Sequence, residues 1–254
     1  MSTGTHASPG ALGDLGCATG TLERALGLGV VRTPAWHALV ASWDQLDDGT
    51  CRDQRFADFR CVASDDDGFK VFEQLAYRFT PEDELCANPA LREVLAWLVR
   101  DLDQAEGTGP AEWQARCFRN RTTAHPGRPG MPAPEGTQRG RAGPPTSPGS
   151  LAGVAHLDGP SDPGGPDGPG AGQRGGADYT AVVLVRRSGV VGGTTVLHRL
   201  GAAEPEHRLL LSRPGDFVLT DDRRLQQRAS PVALAGRGTT AGHRDVLVVR
   251  FARL

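Results

Sequence analysis

The sequence has little lysine, few aromatic residues and no long apolar stretch. Lys70 is the single lysine among 28 basic residues, and aromatic residues make up 6% of the 254. No run approaches the roughly 18 apolar residues that a membrane-spanning helix needs, and the first residues lack the basic-then-apolar pattern of a signal peptide. The formal net charge of −2, with both signs mixed along the chain, predicts no basic surface for nucleic acid. We therefore expect no membrane partner and no nucleic-acid partner.

Cysteine is also sparse, and its spacing matches no metal or redox motif. There are five cysteines, an odd number, and none forms a CxxC pair: Cys17, Cys51, Cys61, Cys86 and Cys117. A disulfide framework or a zinc site would show paired spacings. The pattern favours reduced thiols and hence a cytoplasmic protein.

Glycine and proline are concentrated in one segment. Residues 126–176 contain 15 Gly and 11 Pro, whereas the other 203 residues contain 27 of both types together. Such a composition buries too little apolar area to offset the entropy of ordering the chain. We predict a disordered N-terminus at 1–20, a globular part at 21–125, a disordered insertion at 126–176 and a second globular part at 177–254.

Helical periodicity is confined to the first globular part. Residues 21–46 predict one short and one longer helix, and 89–105 predict a helix capped by Asn88, with Pro89 in its first position and an apolar stripe along one face. Segments 47–63, 71–79 and 111–123 predict strands, the first of them at a sheet edge. Six short strands at about ten-residue spacing follow at 178–187, 194–200, 207–212, 216–220, 230–236 and 244–254. This order predicts an antiparallel sandwich or barrel.

The C-terminal part carries a recognisable series of motifs. It runs DYTAVVLV, GGTT, LSRPGDFVLTDDRRLQQRASPV and HRDVLVVRF. In this order the motifs resemble the 2-oxoglutarate/iron(II) dioxygenase family that includes bacterial amino-acid hydroxylases of the isoleucine dioxygenase type. The N-terminal segments DGTCRDQRFADF and EWQARCFRNRTT are similar to the family's early strands. The resemblance implies a mainly β fold with flanking helices, a double-stranded β-helix or jelly-roll.

The resemblance also implies Fe(II) and 2-oxoglutarate as cofactors and an amino-acid-like small molecule as substrate. In the family two histidines and a carboxylate hold the iron, and an arginine binds the distal carboxylate of 2-oxoglutarate. The three ligand positions fall on Gln173, Gly175 and Gln227, and the arginine position falls on Arg244. An amide is a neutral, weak ligand and glycine has no side-chain donor, so the metal triad is predicted to be lost. The chain then holds these cofactors by another site or holds none.

Other residues offer alternatives for the metal and for the charged positions. His156 and Asp158 form an HxD pair inside the Gly/Pro-rich segment and are the candidate displaced ligands. Their third partner would come from one of three histidines: His198, His207 or His243. The alternative interpretation is that all of these are ordinary surface or strand-end residues.

The arginines have two interpretations each. Arg244 either binds 2-oxoglutarate or pairs with Asp221 or Asp222, which otherwise form a solvated turn.

Gly192-Gly193 lacks the lysine and helix of a phosphate-binding loop and is predicted to be a hairpin turn. A cluster of arginines and phenylalanines either lines the substrate mouth or forms ion pairs on a strand: Arg52, Arg55, Phe56, Phe59 and Arg60.

Three functions remain open at this point. The first is hydroxylation of a free amino acid or similar small molecule. The second is a catalytically inactive jelly-roll relative that binds a small molecule or a protein. The third is a metal-independent enzyme in the same cup, for which no nucleophile–base pair stands out.

Overall fold

The structure is a computed structural model that describes residues 11–27, 29–45, 56–62, 70–74, 87–125, 155–156, 177–236 and 239–254. Its α-helices are α1 (Ala11–Leu15), α2 (Leu22–Ala25), α3 (Pro34–Ala41) and α4 (Pro89–Glu106), with 3-10 turns at Val30–Arg32 and Ser42–Gln45. No helix within the described residues is both long enough and apolar enough to span a membrane.

Helix α4 follows the sequence prediction closely. The Asn88 side chain accepts the Leu91 N–H at 3.1 Å, and Gly107 ends the helix in the left-handed conformation at φ 65°. Both features satisfy backbone groups that a helix end leaves open. The predicted stripe is fully buried, at Leu91, Val94, Leu95, Leu98 and Leu102. The helix therefore packs its apolar face on a sheet.

Thirteen strands in the described residues form three antiparallel sheets. They are β1 (Cys17–Thr21), β2 (Phe56–Val62), β3 (Lys70–Gln74), β4 (Glu112–Ala124), β5 (Ala155–His156), β6 (Tyr179–Ser188), β7 (Val190–Gly192), β8 (Thr195–Arg199), β9 (Pro205–Leu209), β10 (Asp216–Asp221), β11 (Leu225–Ala229), β12 (Val232–Leu234) and β13 (Gly242–Arg253). The large sheet has the order β1-β10-β6-β13-β4-β2-β3, the small sheet β5-β11-β8-β9, and β12 pairs with β7. This is the jelly-roll architecture that the motif order predicted.

The two faces of the large sheet bury different cores. Alternate side chains of β13 belong to one core or the other, because successive side chains of a strand point to opposite faces. Leu247 and Val249 belong to the outer core, which α4 covers, and Val246 and Val248 belong to the inner core between the two larger sheets. On β13, the even-numbered residues lie on the same inner face as Val246. These residues are therefore the candidates for a site inside the sandwich.

Two local predictions are wrong. Residues 11–20 were expected to be unstructured, but they form α1 and most of β1, where Cys17 and Ala18 are buried against the edge strand β10. Strand β2 is internal, since it pairs with both β3 and β4. Small or charged residues in β1 and β2 hide how these strands pair, because backbone hydrogen bonds to a neighbouring strand leave no mark in the local sequence.

The Gly/Pro-rich segment contains one described element. Ala155 and His156 form β5, which pairs with Ala229 and Arg228 of β11. The remainder of 126–176, apart from these two residues, lies outside the described residues. The predicted disorder of this segment therefore stays a prediction.

Candidate functional site

Arg244 is a buried cation that forms no ion pair with the described residues. It lies near the start of β13, two residues before Val246, and is 4% exposed. Its Nε and NH2 atoms have no hydrogen-bond partner in the described structure. Burial, and secondarily the positive charge of Arg187, lowers the pKa of Arg244 to about 10, so the group stays charged at neutral pH. An uncompensated buried charge is costly, and the site therefore favours an anionic ligand.

Neither acidic candidate pairs with Arg244. Asp221 is 6% exposed and accepts hydrogen bonds from Arg223, through Nε at 2.9 Å and NH2 at 3.0 Å. Asp222 accepts from two threonine hydroxyls at 2.5 and 3.1 Å, and burial raises its pKa to about 6. The prediction of a solvated acidic turn is wrong, because both carboxylates are held against the protein. Arg244 keeps its charge without either of them.

A glycine and a second arginine shape the surroundings of Arg244. Gly193 has φ +70°, and a Cβ there would lie 3.0 Å from both Arg244 Cδ and Val232 Cγ1. Arg187 stands directly opposite Arg244 in the β6–β13 pairing. The hairpin turn predicted at Gly192-Gly193 is wrong, because β7 pairs with β12 whereas β8 pairs with β9 and β11, so these glycines connect two different sheets. The absence of a side chain at Gly193 leaves room for the Arg244 side chain to pass.

Gln227 occupies the middle of the inner face of β11. It is 8% exposed, and its Nε2 has no hydrogen-bond partner within the described part of the chain. Its Oε1 lies 3.5 Å from Thr220 Oγ1, which also donates to Asp222 at 3.1 Å. Thr195, on the neighbouring strand β8, is fully buried and its hydroxyl is likewise unpartnered. Several polar groups inside the sandwich thus lack the partners that buried polar groups normally have.

The displaced HxD pair is described only at its first residue. His156 is placed opposite Arg228 in the β5–β11 pairing, one residue from Gln227. Consecutive strand residues lie on opposite faces, so the register aligns position 156 with Arg228 and not with the inner face of Gln227. The other metal candidates, Asp158, Gln173 and Gly175, lie outside the described residues.

The three histidines proposed as further ligands are dispersed. His198 is opposite Gln226, the neighbour of Gln227 on the other face of β11. His243 lies 3.8 Å from Asp245 on the outer side of the large sheet, and burial lowers its pKa. His207 is opposite Leu197 on the edge strand β9. Within the described ranges, no three His, Cys, Asp or Glu side chains form a group that could hold a metal ion.

The arginine–phenylalanine cluster divides between described and undescribed residues. Phe59 is 1% exposed and belongs to the outer core on the helix side, so the hypothesis that it lines the mouth is wrong. Arg60 is opposite Gln114 on one side and Glu73 on the other. Arg52 and Arg55 lie outside the described residues.

A charge network anchors the strand that carries Arg244. The fully buried Asp245 accepts from Arg121 at 2.7 and 2.8 Å and from Arg186 at 3.0 and 3.1 Å. Both arginines also reach Asp44, which follows α3. These contacts fix β13 to β4 and β6 on the outer face, directly beside the residue that faces inward. Asp245 therefore holds the backbone that positions Arg244.

The site fits one of the two expected cofactors. An unpaired buried guanidinium matches a carboxylate, which it can bind through two parallel hydrogen bonds. Iron(II) favours imidazole and carboxylate ligands, and the described inner face offers the Gln227 amide at the relevant position. The described residues fit the carboxylate end of 2-oxoglutarate, and the Gln227 amide among them does not fit iron.

A family model described as 2OG-Fe dioxygenase matches residues 35–140 and 160–250. The chain belongs to the 2OG-Fe dioxygenase family. The matched ranges contain Gln173, Gly175, Gln227 and Arg244, whereas His156 and Asp158 fall in the unmatched stretch between them.

Solved structures share the fold. IDO from Bacillus thuringiensis has a TM-score of 0.59 at 13% identity, covering 96% of this chain and 93% of its own. A bsmA homologue from Methylobium petroleophilum PM1 has a TM-score of 0.56 at 18% identity, covering 94% and 89%. The Fe(II)/(alpha)ketoglutarate-dependent dioxygenase TqaL has a TM-score of 0.61 at 16% identity, covering 96% and 85%. No curated protein sequence matches the chain.

The sequence reasoning missed three residues of the site. Arg187, Gly193 and Thr195 surround Arg244 or face the same interior, yet none was assigned a role in binding. Cross-strand register brings Arg187 to Arg244 from 57 positions away along the chain. Local sequence carries no signal for such a pairing.

Proposed function

We propose that this protein binds 2-oxoglutarate, or a dicarboxylate of the same shape, between its two larger sheets. The observation that carries the proposal is Arg244, whose buried guanidinium has unpartnered Nε and NH2 atoms. A carboxylate would neutralise this charge and supply the missing acceptors. Membership of the 2OG-Fe dioxygenase family supports the choice of ligand.

The same cup lacks a strong iron ligand at Gln227. The amide carries no charge, and its nitrogen cannot replace the basic nitrogen of an imidazole. By the motif alignment, Gln173 and Gly175 fill the other two ligand positions. The function best supported is therefore a catalytically inactive family member that acts as a small-molecule-binding module.

A second candidate is a hydroxylase of a free amino acid or similar small molecule. The pairing of β5 with β11 brings position 156 next to the strand of Gln227, opposite Arg228, so only a displaced site outside the inner face could use it. With Asp158 it would supply part of a displaced iron site. Bound iron(II) and 2-oxoglutarate would together provide the oxygen-activating chemistry, and Arg244 would orient the 2-oxoglutarate.

Both candidates require 2-oxoglutarate binding at Arg244, which anaerobic titrations test. We expect the wild-type protein to bind 2-oxoglutarate by calorimetry without added metal, and Arg244→Met to weaken this binding at least about 100-fold. The exposed Arg208→Met on β9 serves as the matched control and should bind as wild type. Absence of 2-oxoglutarate binding by a folded wild-type protein would contradict the proposal.

Iron binding decides between module and enzyme. We expect wild-type protein to bind Fe(II) weakly and to consume no 2-oxoglutarate in air. The combined substitutions Gln173→His, Gly175→Asp and Gln227→His should restore iron binding, since they return one anion and two imidazoles to the cup. Micromolar Fe(II) affinity in the wild type, abolished by His156→Ala, would instead establish the displaced site and the hydroxylase.

A further inference from the structure

Two arginines face each other beside the predicted carboxylate site. Arg187 of β6 and Arg244 of β13 are directly opposite in the antiparallel pairing. Directly opposed residues share a face, with Cβ atoms about 4.5–5.5 Å apart, and like charges in this arrangement repel. The Arg187 charge contributes to the lowered pKa of Arg244. The pair is thus electrostatically unfavourable unless an anion lies near both guanidinium groups.

Arg187 has one donor group left for such an anion. Its Nε donates to the Val190 carbonyl at 3.2 Å and its NH2 to the Gly192 carbonyl at 2.7 Å. Its NH1 is buried and has no partner in the described structure. Two of its three nitrogens therefore brace β7, and the third is available.

The unpartnered donors match the capacity of one carboxylate. A carboxylate has about four lone-pair sites on its two oxygens. Arg244 offers the adjacent Nε and NH2, Arg187 offers NH1, and Thr195 offers a fully buried hydroxyl on the inner face. Arg187 and Arg244 lie on the paired strands β6 and β13, and Thr195 lies two residues after Gly193, which abuts the Arg244 side chain.

We propose that Arg187 is a second carboxylate-binding residue, which makes the site selective for a charged ligand end over a neutral one of the same shape. This rests on the proposed binding of 2-oxoglutarate at Arg244. A neutral amide end brings its own N–H donors toward the two guanidinium groups and leaves both charges uncompensated. The second cation therefore increases the discrimination between carboxylate and amide beyond what Arg244 provides.

The bracing contacts of Arg187 require a test that separates binding from folding. The ligand pair is 2-oxoglutarate and 2-oxoglutaramate, which differ only in the distal carboxylate or amide. Arg187→Met removes every donor, while Arg187→Gln removes the charge and keeps amide N–H donors for the carbonyls of Val190 and Gly192. Arg208→Met is the control, because Arg208 is exposed on β9 and lies outside the Asp245 network.

We expect both Arg187 variants to raise the Kd of 2-oxoglutarate about tenfold or more, as for loss of a charge-assisted hydrogen bond. The Kd of 2-oxoglutaramate should change less than about twofold, so the ratio between the two ligands falls. Arg208→Met should leave both Kd values, and therefore this ratio, unchanged. An equal loss for both ligands in Arg187→Gln, or no loss for either, would overturn the proposal and leave Arg187 as a brace.

The outcomes also distinguish this inference from the proposed 2-oxoglutarate binding on which it rests. If the folded wild type does not bind 2-oxoglutarate, the proposed function fails and the role of Arg187 fails with it. If the wild type binds and Arg244→Met abolishes binding while Arg187→Gln binds both ligands as wild type, only the second anchor is wrong. Should Arg187→Met not fold, Arg187→Gln alone carries the comparison.

Discussion

The carboxylate of Asp245 offers the sharpest test of how the site is held in place. Asp245→Asn keeps the shape of the side chain but removes its charge and turns one acceptor into a donor. That donor would face the guanidinium of Arg121 or of Arg186, which now donate at 2.7 to 3.1 Å. The variant therefore leaves two arginines without their buried counter-ion.

Removing one member of a buried ion pair costs about 3–5 kcal/mol. The arginine side chains are 18% and 30% exposed, so water partly replaces the lost partner. We expect a loss near the lower limit, about 3 kcal/mol, measured as a lower urea midpoint with an unchanged slope. Asp44→Asn is the matched control, because its side chain contacts the same arginines but is 59% exposed. It should cost less than about 1 kcal/mol.

Equal losses for the two aspartate variants would refute this reasoning, since they would show that burial of Asp245 adds nothing to its ion pairs. The binding assay adds a second readout. Because Asp245 precedes Val246 and follows Arg244 on one strand, Asp245→Asn should also weaken 2-oxoglutarate binding. Asp44→Asn should not.

Three further predictions concern the glycine, the titrating carboxylate and the long segment. Gly193→Ala should weaken 2-oxoglutarate binding about tenfold, because its methyl group would meet Arg244 Cδ at 3.0 Å; Gly201→Ala, at φ +80° with no atom within 4 Å, should show only the conformational cost of about 1–2 kcal/mol. Asp222 has a folded-state pKa of about 6 against 3.8, so the folded protein holds a proton that the unfolded chain releases, and wild-type stability falls as pH rises between these values. In urea unfolding, Asp222→Asn should therefore gain stability relative to wild type from about pH 4.5 to about pH 7, and a constant difference would contradict the shift. Deletion of 141–175 removes β5, which pairs through two residue pairs, and should cost less than about 2 kcal/mol in thermal or urea unfolding; a larger loss would mean that the segment packs.

Much of the fold was predictable because its signals are local. The α4 stripe, the Asn88 cap and the Gly107 stop lie within 20 consecutive residues, and the structure has this helix within a residue of its predicted bounds. All six predicted C-terminal strands are present. Strand β11 was not predicted as a strand, because the inward position at its centre is Gln227 and breaks the apolar alternation.

The site was predictable only in part. Arg244 could be singled out because its motif, HRDVLVVRF, resembles a family segment, and the structure adds that its guanidinium is buried and unpartnered. Its alternative partners, Asp221 and Asp222, could not be excluded until their own contacts were known. The roles of Gln173, Gly175, His156 and Asp158 stay predictions.

The sequence by itself determined the jelly-roll class, the helix on its outer face and the identity of the arginine near the start of the last strand. The helix follows from periodicity and capping, which act over a few residues, whereas the jelly-roll class and the arginine follow from the resemblance of short motifs to a known family. Only the tertiary structure decided that Arg187 stands opposite Arg244, that Asp245 anchors the same strand from the other face, and that Gly193 leaves room for the Arg244 side chain. Cross-strand register joins residues far apart in the chain, and the burial that makes a charge seek a ligand exists only once both sheets have packed.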